Sequence, residues 1–587
     1  MSIKTWSDVD WTLCEKRIYR LQKRIFSASH AGNKSKVHFL QRKVICSLDA
    51  KLIAVRRVTQ LNKGYQTSRI DRKIILDNEE RFLLARKLMV DSKVSTIRRV
   101  WVNKTDKDEK CPLGIPTIKD RALQMLIKLA LEPEWEAKFE PNSYGFRSGR
   151  SCHDAIQAIY LQSQQKSLFV LGADIQKCFC TISHQKLINK LGTFSLIENQ
   201  INAWLIAGIM KEYSNLSNHK VLPNTQVMPQ GSVISPLLVN IALHGMEDLI
   251  KEYYCKTLYN GPSKLAPKDR KAQISLIRYA DNFVLLHKDE QVIQATKVYL
   301  FKWLYQHLDL ELSNAKTSIK STDVGYEFLG FHIISLYGPG KNKPKCQISA
   351  SKTSKKNFLE KTQRIIQNNR SISAGELIYL LSPIVVGWCN YFKYVECSKC
   401  FKQVEYGLFG QVRAWVFRRK SKGLRSKTKL KEKYFPQNTT VTFNGKIHNG
   451  NWILTGTVQG RRGNLKQIFL PYPSWINSAR WIKIKQNSSP FDGQDLYWAS
   501  RSIQYCNRSK QTITLLKLQN YKCTICLRRF LEDDILEIDH INPVALGGTD
   551  HISNLQVLHN HCHVKKFTVD KKLIVENTVH SPTKRLE

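Results

Sequence analysis

Phe169-Val-Leu-Gly-Ala-Asp174 and, further along, Arg278-Tyr-Ala-Asp281-Asn282 are the two stretches that decide the fold. The first predicts an apolar strand that ends in an acid. The second lies between the apolar runs 277–280 and 283–286, which predicts two strands joined by a tight turn at Asp281-Asn282. Phosphoryl transfer assisted by two divalent ions needs acids at the ends of neighbouring strands, and magnesium prefers such oxygen ligands. Asp174 and Asp281 are therefore candidate magnesium ligands, although an acid at a strand end also serves in ordinary turns.

The charge of the chain predicts a polyanionic partner. Its 587 residues contain 92 Lys and Arg against 48 Asp and Glu, a formal charge of +44 that is spread along the whole sequence. A compact protein with this excess repels itself unless a polyanion neutralises it, so we expect nucleic acid as the partner. The alternative is a basic protein that has no nucleic-acid partner. No apolar run reaches about 18 residues, so we expect no membrane partner.

The length of the chain and its cysteines indicate the number of domains and the cellular compartment. A chain of 587 residues is too long for one core, so several domains are expected. The 15 cysteines have irregular spacing and do not suggest a disulfide framework, which favours a reducing compartment. The first residues, Met-Ser-Ile-Lys-Thr-Trp, lack the apolar core of a signal peptide. The expected location is a bacterial cytoplasm, in association with the nucleoid, or an organelle.

The pattern of apolar residues changes along the chain. Residues 1–60 show helical spacing, whereas residues 65–335 mix helices with short strands and predict an α+β body. Within that body, Thr117 and Asp120 resemble a helix N-terminus that opens the apolar run 122–131. Residues 351–420 return to helical spacing, with lysines beside the apolar stripe.

Two later segments have compositions that suit nucleic acid. The dense basic run 418–433 fits contact with a phosphate backbone, and a solvated linker is the alternative. Residues 440–500 contain Trp452, Trp475, Trp481 and Trp498 among lysines and arginines. Aromatic rings in this setting can stack on bases, although ordinary core packing explains tryptophans equally well.

The C-terminal segment has the spacing of a zinc site. Cys523-x-x-Cys526 is followed by His559-x-x-Cys562, and these soft ligands suit a tetrahedral structural zinc ion. A segment of about 60 residues folds poorly on apolar burial alone, so a metal staple is physically reasonable. By contrast, the isolated pair Cys397-x-x-Cys400 is more typical of a coincidence.

Four residues remain between and after those ligands for chemistry: Asp539, His540, Asn554 and His563. A neutral imidazole can accept a proton near pH 7, so the two histidines of this set are compatible with acid–base chemistry. A purely structural zinc finger that binds DNA is the alternative interpretation.

An ordered set of motifs strengthens both the assignment of Asp174 and Asp281 to a magnesium site and the assignment of the C-terminal segment to a metal-dependent site. Their order and spacing resemble the reverse-transcriptase blocks of group II intron-encoded proteins. Residues 387–392 look like the maturase domain of that family, residues 489–498 resemble its DNA-binding region, and residues 523–566 resemble its appended HNH nuclease. The reverse-transcriptase motifs are Asn-Lys-Gly (62–64), Pro-Leu-Gly-Ile-Pro-Thr-Ile-Lys-Asp-Arg (112–121), Tyr-Gly-Phe-Arg-Ser-Gly-Arg (144–150), Ala-Asp-Ile-Gln-Lys-Cys-Phe (173–179), Pro-Gln-Gly-Ser-Val-Ile-Ser-Pro-Leu (229–237), Tyr-Ala-Asp-Asn (279–282) and Phe-Leu-Gly-Phe (328–331).

The resemblance implies a multidomain fold. The expected parts are an N-terminal helical extension of the fingers, an α+β right-hand polymerase of fingers and palm, an α-helical thumb or maturase domain, a basic DNA-binding region, and a small zinc-stapled ββα-metal (HNH) domain. Their expected bounds are 1–75, 76–345, 346–440, 441–512 and 513–587.

The resemblance also assigns roles to single residues. Asp174 and Asp281 would hold magnesium or manganese for catalysis. In the nuclease, His540 would activate water, Asp539 and His563 would hold one divalent ion, and Asn554 would fix the loop that orients His540. Cys523, Cys526, His559 and Cys562 would hold zinc. The expected contacts to nucleotide, template or leaving pyrophosphate are Lys104, Arg121, Phe179, Gln230, Gly231 and Lys316.

The chain departs from the family pattern around the polymerase site. Asn282 stands where the family has a second acid, and an amide binds a divalent ion more weakly. Cys111 replaces an arginine, which removes a forked phosphate contact, and Cys180 replaces an acid. Residues 67–72 read Thr-Ser-Arg-Ile-Asp-Arg instead of Thr-Pro-Gly-Val-Asp-Gly. We therefore expect an impaired polymerase.

The expected function is that of a maturase that binds its group II intron RNA, promotes splicing and intron mobility, and nicks duplex target DNA with a metal-dependent HNH endonuclease. One alternative is a fully active RNA-directed DNA polymerase that uses dNTPs. Another is a splicing factor that binds RNA without enzymatic activity. The last is a stand-alone homing nuclease whose N-terminal body only reads DNA.

Overall fold

A computed structural model describes most of the chain. The described residues are 5–62, 75, 77–103, 110–175, 178–207, 209–210, 221–222, 231–259, 261, 265–313, 317–419, 426–459, 464–485, 487–505, 509–530 and 534–579. No helix within these ranges combines the length and the apolar composition that crossing a membrane requires.

Helices form the N-terminal part, as the spacing of residues 1–60 predicts. Asp10 and Asn33 each accept a backbone hydrogen bond at the start of a helix, which satisfies an amide that would otherwise lack a partner. The buried faces of the first three helices pack around a later helix, which begins at Ile118. The four N-terminal helices are α1 (Trp11–His30), α2 (Lys34–Cys46), α3 (Leu48–Arg56) and α4 (Asn78–Lys87).

The central part alternates helices with strands, as expected for residues 65–335. Thr117 caps α5 by accepting from the amide of Asp120, so the predicted start of this helix is confirmed. The elements are β1 (Ile97–Asn103), β2 (Lys110–Ile115), α5 (Ile118–Glu136), α6 (Cys152–Ser163), β3 (Phe169–Asp174), α7 (Cys178–Thr181), α8 (His184–Leu191), α9 (Ser195–Ile206), β4 (Ile209–Met210), β5 (Val221–Leu222), α10 (Ser235–Leu243), α11 (Met246–Tyr253), α12 (Pro267–Lys271), β6 (Ser275–Tyr279), β7 (Asn282–His287), α13 (Glu290–Leu308) and β8 (Ser318–Ser321).

Two sheets organise this part. The first has the order β2-β1-β4-β5, and the second has the order β6-β7-β3-β8 with antiparallel neighbours throughout. Strands β6, β7 and β3 are buried along most of their length, so both faces of the second sheet are covered. The second sheet brings the strand that ends at Asp174 beside the strand that follows Asp281.

A small sheet and a helical bundle follow. Phe358, Thr362 and Ile366 are buried along one face of α14, which confirms the apolar stripe read from the sequence. The elements are β9 (Tyr326–Phe328), β10 (Phe331–Leu336), β11 (Lys345–Ala350), α14 (Lys352–Asn368), α15 (Ala374–Phe392), α16 (Ser398–Phe417) and α17 (Lys427–Tyr434).

The tryptophan-rich segment forms two hairpins and a helix. These are β12 (Thr439–Phe443) with β13 (Lys446–Gly450), β14 (Thr455–Gln459) with β15 (Leu465–Phe469), and α18 (Asp495–Tyr505).

The tryptophans at the end of this segment are core residues. Trp481 donates to Asp154 of α6, and the ring of Trp498 fills the space beside Gly149. Both rings are almost fully buried, so the stacking role considered for Trp481 and Trp498 is excluded in this conformation, and core packing explains them.

The last described part is small. It contains α19 (Lys510–Leu518), the hairpin of β16 (Leu536–His540) and β17 (Leu555–His559), and α20 (Asn560–Val579). Its core consists of only eight buried residues, among them Leu516, Phe530 and Val557. A hydrophobic core of this size supports the expectation that a bound metal ion contributes to the stability of the segment.

Candidate active sites

The two candidate acids of the central sheet lie at one end of adjacent strands. Asp174 is paired in register with Asn282, and the amide of Ile175 donates to the carbonyl of Asp281 at 3.1 Å. Asp174 is 9% exposed and Asp281 is partly exposed. This placement suits a pair of carboxylates that share divalent ions.

The turn that presents Asp281 differs from the predicted one. Tyr279 and Asn282 are opposite each other in register, so the two turn residues are Ala280 and Asp281. The prediction that Asp281 and Asn282 form the turn is therefore wrong by one residue. Ala280 has a φ of +58°, a left-handed conformation that costs a residue with a Cβ roughly 1–2 kcal/mol. The sequence offers no turn-type residue at position 280 that could have indicated this register.

Asn282 contacts the acid that it follows. Its amide nitrogen donates to Oδ1 of Asp281 at 3.1 Å. A second acid at this position would offer another oxygen ligand, whereas the amide donor occupies part of the coordination capacity of Asp281. The substitution therefore changes both the charge and the hydrogen bonding at the tip of the hairpin.

A buried arginine holds this hairpin in place. The guanidinium of Arg278 donates to Asn240 at 2.9 Å, to Ser143 at 2.7 Å and to the carbonyl of Ala280 at 3.2 Å. Gly145 lies against the same turn, since a Cβ there would be 2.3 Å from the amide nitrogen of Ala280. The motif at 144–150 thus supports the strained turn from outside the sheet.

The structure describes three of the six residues that are predicted to contact nucleotide, template or pyrophosphate. Nη1 of Arg121 donates to the carbonyl of Gly231 at 3.1 Å, so the structure brings these two together. The backbone of Phe179 lies in α7. The predicted contacts Lys104, Gln230 and Lys316 lie outside the described residues.

Four predicted zinc ligands converge in the C-terminal part. The ligand atoms of Cys523, Cys526, His559 and Cys562 all lie within 4.8 Å of one another. Tetrahedral zinc with bonds of about 2.0–2.3 Å holds its ligands roughly 3.5–3.8 Å apart, so the donor set fits this ion after a small contraction. Within the described ranges, no other group of three or more His, Cys, Asp or Glu side chains meets this criterion. We call these four residues the knuckle.

The candidate nuclease residues lie beside the knuckle. Asp539 and His540 end β16, and His563 lies in the first turn of α20. Nε2 of His563 is 3.7 Å from Oδ1 of Asp539, a separation that one divalent ion can bridge. The ammonium of Lys566 is 3.1 Å from Oδ2 of the same carboxylate.

His540 is oriented by an acid that the motifs did not indicate. Its Nε2 atom is 2.7 Å from Oδ1 of Asp550. This contact holds the ring through one nitrogen and assigns the proton of the neutral ring to that atom. The second nitrogen, Nδ1, is then the proton acceptor.

Asn554 fixes the loop that follows His540. Its Oδ1 atom accepts from the amide of Asn542 at 2.9 Å, and its Nδ2 atom donates to the carbonyls of Asn542 and Thr549 at 3.0 and 2.9 Å. Gly548 closes the same loop, because a Cβ there would be 1.9 Å from the carbonyl oxygen of Asn542. This geometry fits the role expected for Asn554.

Sequence reasoning missed several residues of both sites. Arg278 had a signal, since a charged residue inside an otherwise apolar strand suggests a buried partner. Asp550 and Lys566 had none that was specific. Asp550 lies in a loop whose conformation the spacing does not determine, and the sequence does not state which residue of α20 reaches Asp539.

Matches to family models agree with this geometry. The description "Reverse transcriptase (RNA-dependent DNA polymerase)" matches residues 102–333, and "N-terminal domain of reverse transcriptase" matches residues 6–88. "Group II intron, maturase-specific domain" matches residues 355–435, and "HNH endonuclease" matches residues 523–568. The chain therefore combines reverse-transcriptase, maturase-specific and HNH domains.

Curated relatives extend the comparison. The chain is 30% identical over 285 residues to "Group II intron-encoded protein LtrA" of Lactococcus lactis subsp. cremoris, covering 40% of this chain and 46% of that protein. It is 29% identical over 317 residues to "Protein YkfC" of Escherichia coli (strain K12), covering 49% and 82%. It is 27% identical over 421 residues to "Maturase-like protein 1" of Euglena gracilis, covering 68% and 79%.

Domain order and relatives together identify the family. The chain belongs to the group II intron-encoded proteins with a reverse-transcriptase domain, a maturase-specific domain and an HNH domain. The aligned region spans about half the length of the LtrA protein.

Proposed function

We propose that this protein binds its group II intron RNA as a maturase, promotes splicing and intron mobility, and nicks duplex target DNA with its HNH domain. The observation that carries the enzymatic part is the grouping of Asp539, His540, Asn554 and His563 around one hairpin and the helix that follows it. The excess of 92 basic over 48 acidic residues supports an extended nucleic-acid surface.

Each of the nuclease residues has a separate role in the proposed hydrolysis of the DNA backbone. Nδ1 of His540 accepts the proton of the attacking water, while Asp550 on Nε2 keeps the ring oriented and stabilises the imidazolium that forms. Asn554 holds the loop so that this geometry is already present before DNA binds. A divalent ion held by Asp539 and His563 would supply positive charge at the scissile phosphate.

His540→Ala tests the nuclease proposal. We expect nicking of duplex target DNA to fall at least about 100-fold, which is typical for the loss of a general base. RNA binding and zinc content should remain at the wild-type level, because His540 is not one of the four residues of the knuckle and lies outside the reverse-transcriptase and maturase-specific domains. Undiminished nicking by the variant would refute the assignment.

We further propose that the polymerase site is impaired. The amide of Asn282, which donates to Asp281, is the supporting contact. Restoring the acid with Asn282→Asp should raise primer extension by at least about 10-fold, because a carboxylate binds magnesium more strongly than an amide does. Efficient and equal extension by the two proteins would contradict this proposal and favour the fully active RNA-directed polymerase. Extension by neither protein would mean that Asn282 is not the residue that limits the site.

We also propose that Asp174 and Asp281 bind magnesium or manganese in the polymerase site and that the knuckle binds a structural zinc ion. We propose five domains, with the ranges 1–75, 76–345, 346–440, 441–512 and 513–587, and a location with the nucleoid or in an organelle. The relatives come from bacteria and from euglenoids and yeasts, which is compatible with either location.

A further inference from the structure

The knuckle lies against the first helix of the protein. Oγ1 of Thr12, in the first turn of α1, is 3.1 Å from Nε2 of His561 and 4.0 Å from Sγ of Cys562. Cys562 is one of the four predicted zinc ligands, so the N-terminal helix touches the zinc site directly. These residues are 549–550 positions apart in the sequence.

A series of ion pairs also connects the knuckle to the N-terminal helices. Nε2 of His559 is 3.2 Å from Asp534, whose other oxygen is 3.0 Å from Arg528. Arg528 forms an ion pair with Glu15 of α1, and Glu15 also pairs with Arg56 of α3 at 3.3 Å. The network therefore runs without interruption from a zinc ligand to the N-terminal helices.

The side chains of this ion-pair network are mostly buried. The side chains of His559 and Arg56 are 1% and 8% exposed, and those of Asp534 and Arg528 are 13% and 18% exposed. A cavity of about 530 Å³ adjoins the network and is lined by all five of its members. Removing one partner would leave a charge with little water around it, which is costly.

The position of Asp534 has a defined chemical consequence. A zinc ligand of the histidine type binds through one ring nitrogen and commonly donates from the other to a carboxylate, which fixes the ring and raises its basicity. In the knuckle, Nδ1 of His559 faces Cys526 at 3.3 Å and Nε2 faces Asp534. Asp534 is thus a positioning residue for the zinc ligand. Arg528 holds Asp534, and Glu15 holds Arg528.

We propose that the knuckle is the element that docks the HNH domain onto α1 and α3, so that zinc binding and docking stabilise each other. This inference rests on the proposed zinc site. The coupling is reciprocal because a contact that favours the zinc-bound geometry must itself be favoured by zinc. Loss of the N-terminal contact should therefore weaken zinc binding, although no residue of α1 would be a zinc ligand.

The test compares zinc affinity in full-length variants by competition with a chromophoric chelator. Glu15→Gln should weaken zinc binding by about 10-fold, the lower end of the effect of removing groups around a metal site. Arg17→Gln is the matched control, since Arg17 lies on the same helix but pairs with Asp49. Its zinc affinity should equal that of the wild type. If the Glu15 variant does not fold, Thr12→Val makes the same comparison with the loss of one hydroxyl.

Hydrogen exchange supplies a second readout. Removal of zinc from the wild-type chain should increase exchange in residues 11–20 and leave the helix 352–368, which is remote from the knuckle in sequence and belongs to another core, unchanged. Equal zinc affinity in the wild type and Glu15→Gln, or an equal loss in Arg17→Gln, would overturn the coupling. A wild-type chain that binds no zinc would instead refute the zinc site itself.

Discussion

Glu140 shows at the scale of one residue how the polymerase-like body depends on buried charge. The carboxyl accepts from Nδ1 of His244 at 2.9 Å and lies near Arg278. Burial alone raises its pKa, but His244 and Arg278 outweigh burial and lower the pKa from 4.5 to about 2.

Because the folded pKa is depressed, Glu140 stabilises the fold above about pH 4.5, and the contribution is lost as the pH falls towards about 2. At 1.36 kcal/mol per pKa unit, the contribution near neutral pH is about 3 kcal/mol. Glu140→Gln should therefore be less stable by this order in calorimetric melts at about pH 7, and the difference should shrink in acid. A difference that does not depend on pH would contradict the assignment.

Gly548 gives a prediction for the nuclease loop. Gly548→Ala places a Cβ 1.9 Å from the carbonyl oxygen of Asn542, so the loop that Asn554 holds must shift. We expect nicking to fall by at least about 10-fold, because displacement of catalytic groups by about 1 Å is costly. Zinc content should be unchanged. Gly547→Ala is a weaker control, since that residue has open space around it but a φ of +88°.

Single residues also show the limit of sequence reasoning. The zinc ligands could be proposed from their residue types and spacing, whereas the roles of Asp539, His540 and His563 were proposed from the resemblance to HNH nucleases. Asp550, which contacts His540, was not predictable, since nothing in the spacing states which loop residue reaches the ring.

Elements were predicted well where apolar periodicity is strong and poorly elsewhere. The strands 169–174 and 282–287 were evident as short apolar runs, and the helices between 352 and 417 were evident because their buried residues recur at helical spacing. The hairpins of residues 439–469 were not predicted. Their strands are only five residues long and carry mostly polar or exposed side chains, so the alternation that marks a half-buried strand is weak.

One helix–hairpin contact can be tested with a matched pair of glycines. A Cβ on Gly375 of α15 would be 2.2 Å from the carbonyl oxygen of Thr457 in β14, whereas Gly387 of the same helix has open space. Gly375→Ala should destabilise the protein by about 1–3 kcal/mol through overpacking. Gly387→Ala should be neutral or stabilise it by up to about 1 kcal/mol, because alanine favours the helix. Equal melting temperatures for the two variants would show that the contact does not constrain the fold.

The charge of the whole molecule makes a prediction about ionic strength. With a formal charge of +44, binding to intron RNA should involve many phosphate contacts and release many counterions. The logarithm of the binding constant should fall linearly with the logarithm of salt concentration, by about 1,000-fold or more between 50 and 200 mM for a protein with six to ten contacts. Filter binding across a salt series measures the slope. A nearly flat line would mean that the basic residues do not face the RNA.

The contact between α1 and the knuckle also has a consequence for how the protein is made. A ribosome adds His561 some 549 residues after Thr12, which at about 5–20 residues per second is an interval of roughly half a minute to two minutes. Glu15 can pair with Arg56 once that residue has been added, but it cannot pair with Arg528 until 513 residues after Glu15 have been synthesised. The contacts between the first helix and the knuckle therefore form only after almost the whole described chain has been synthesised.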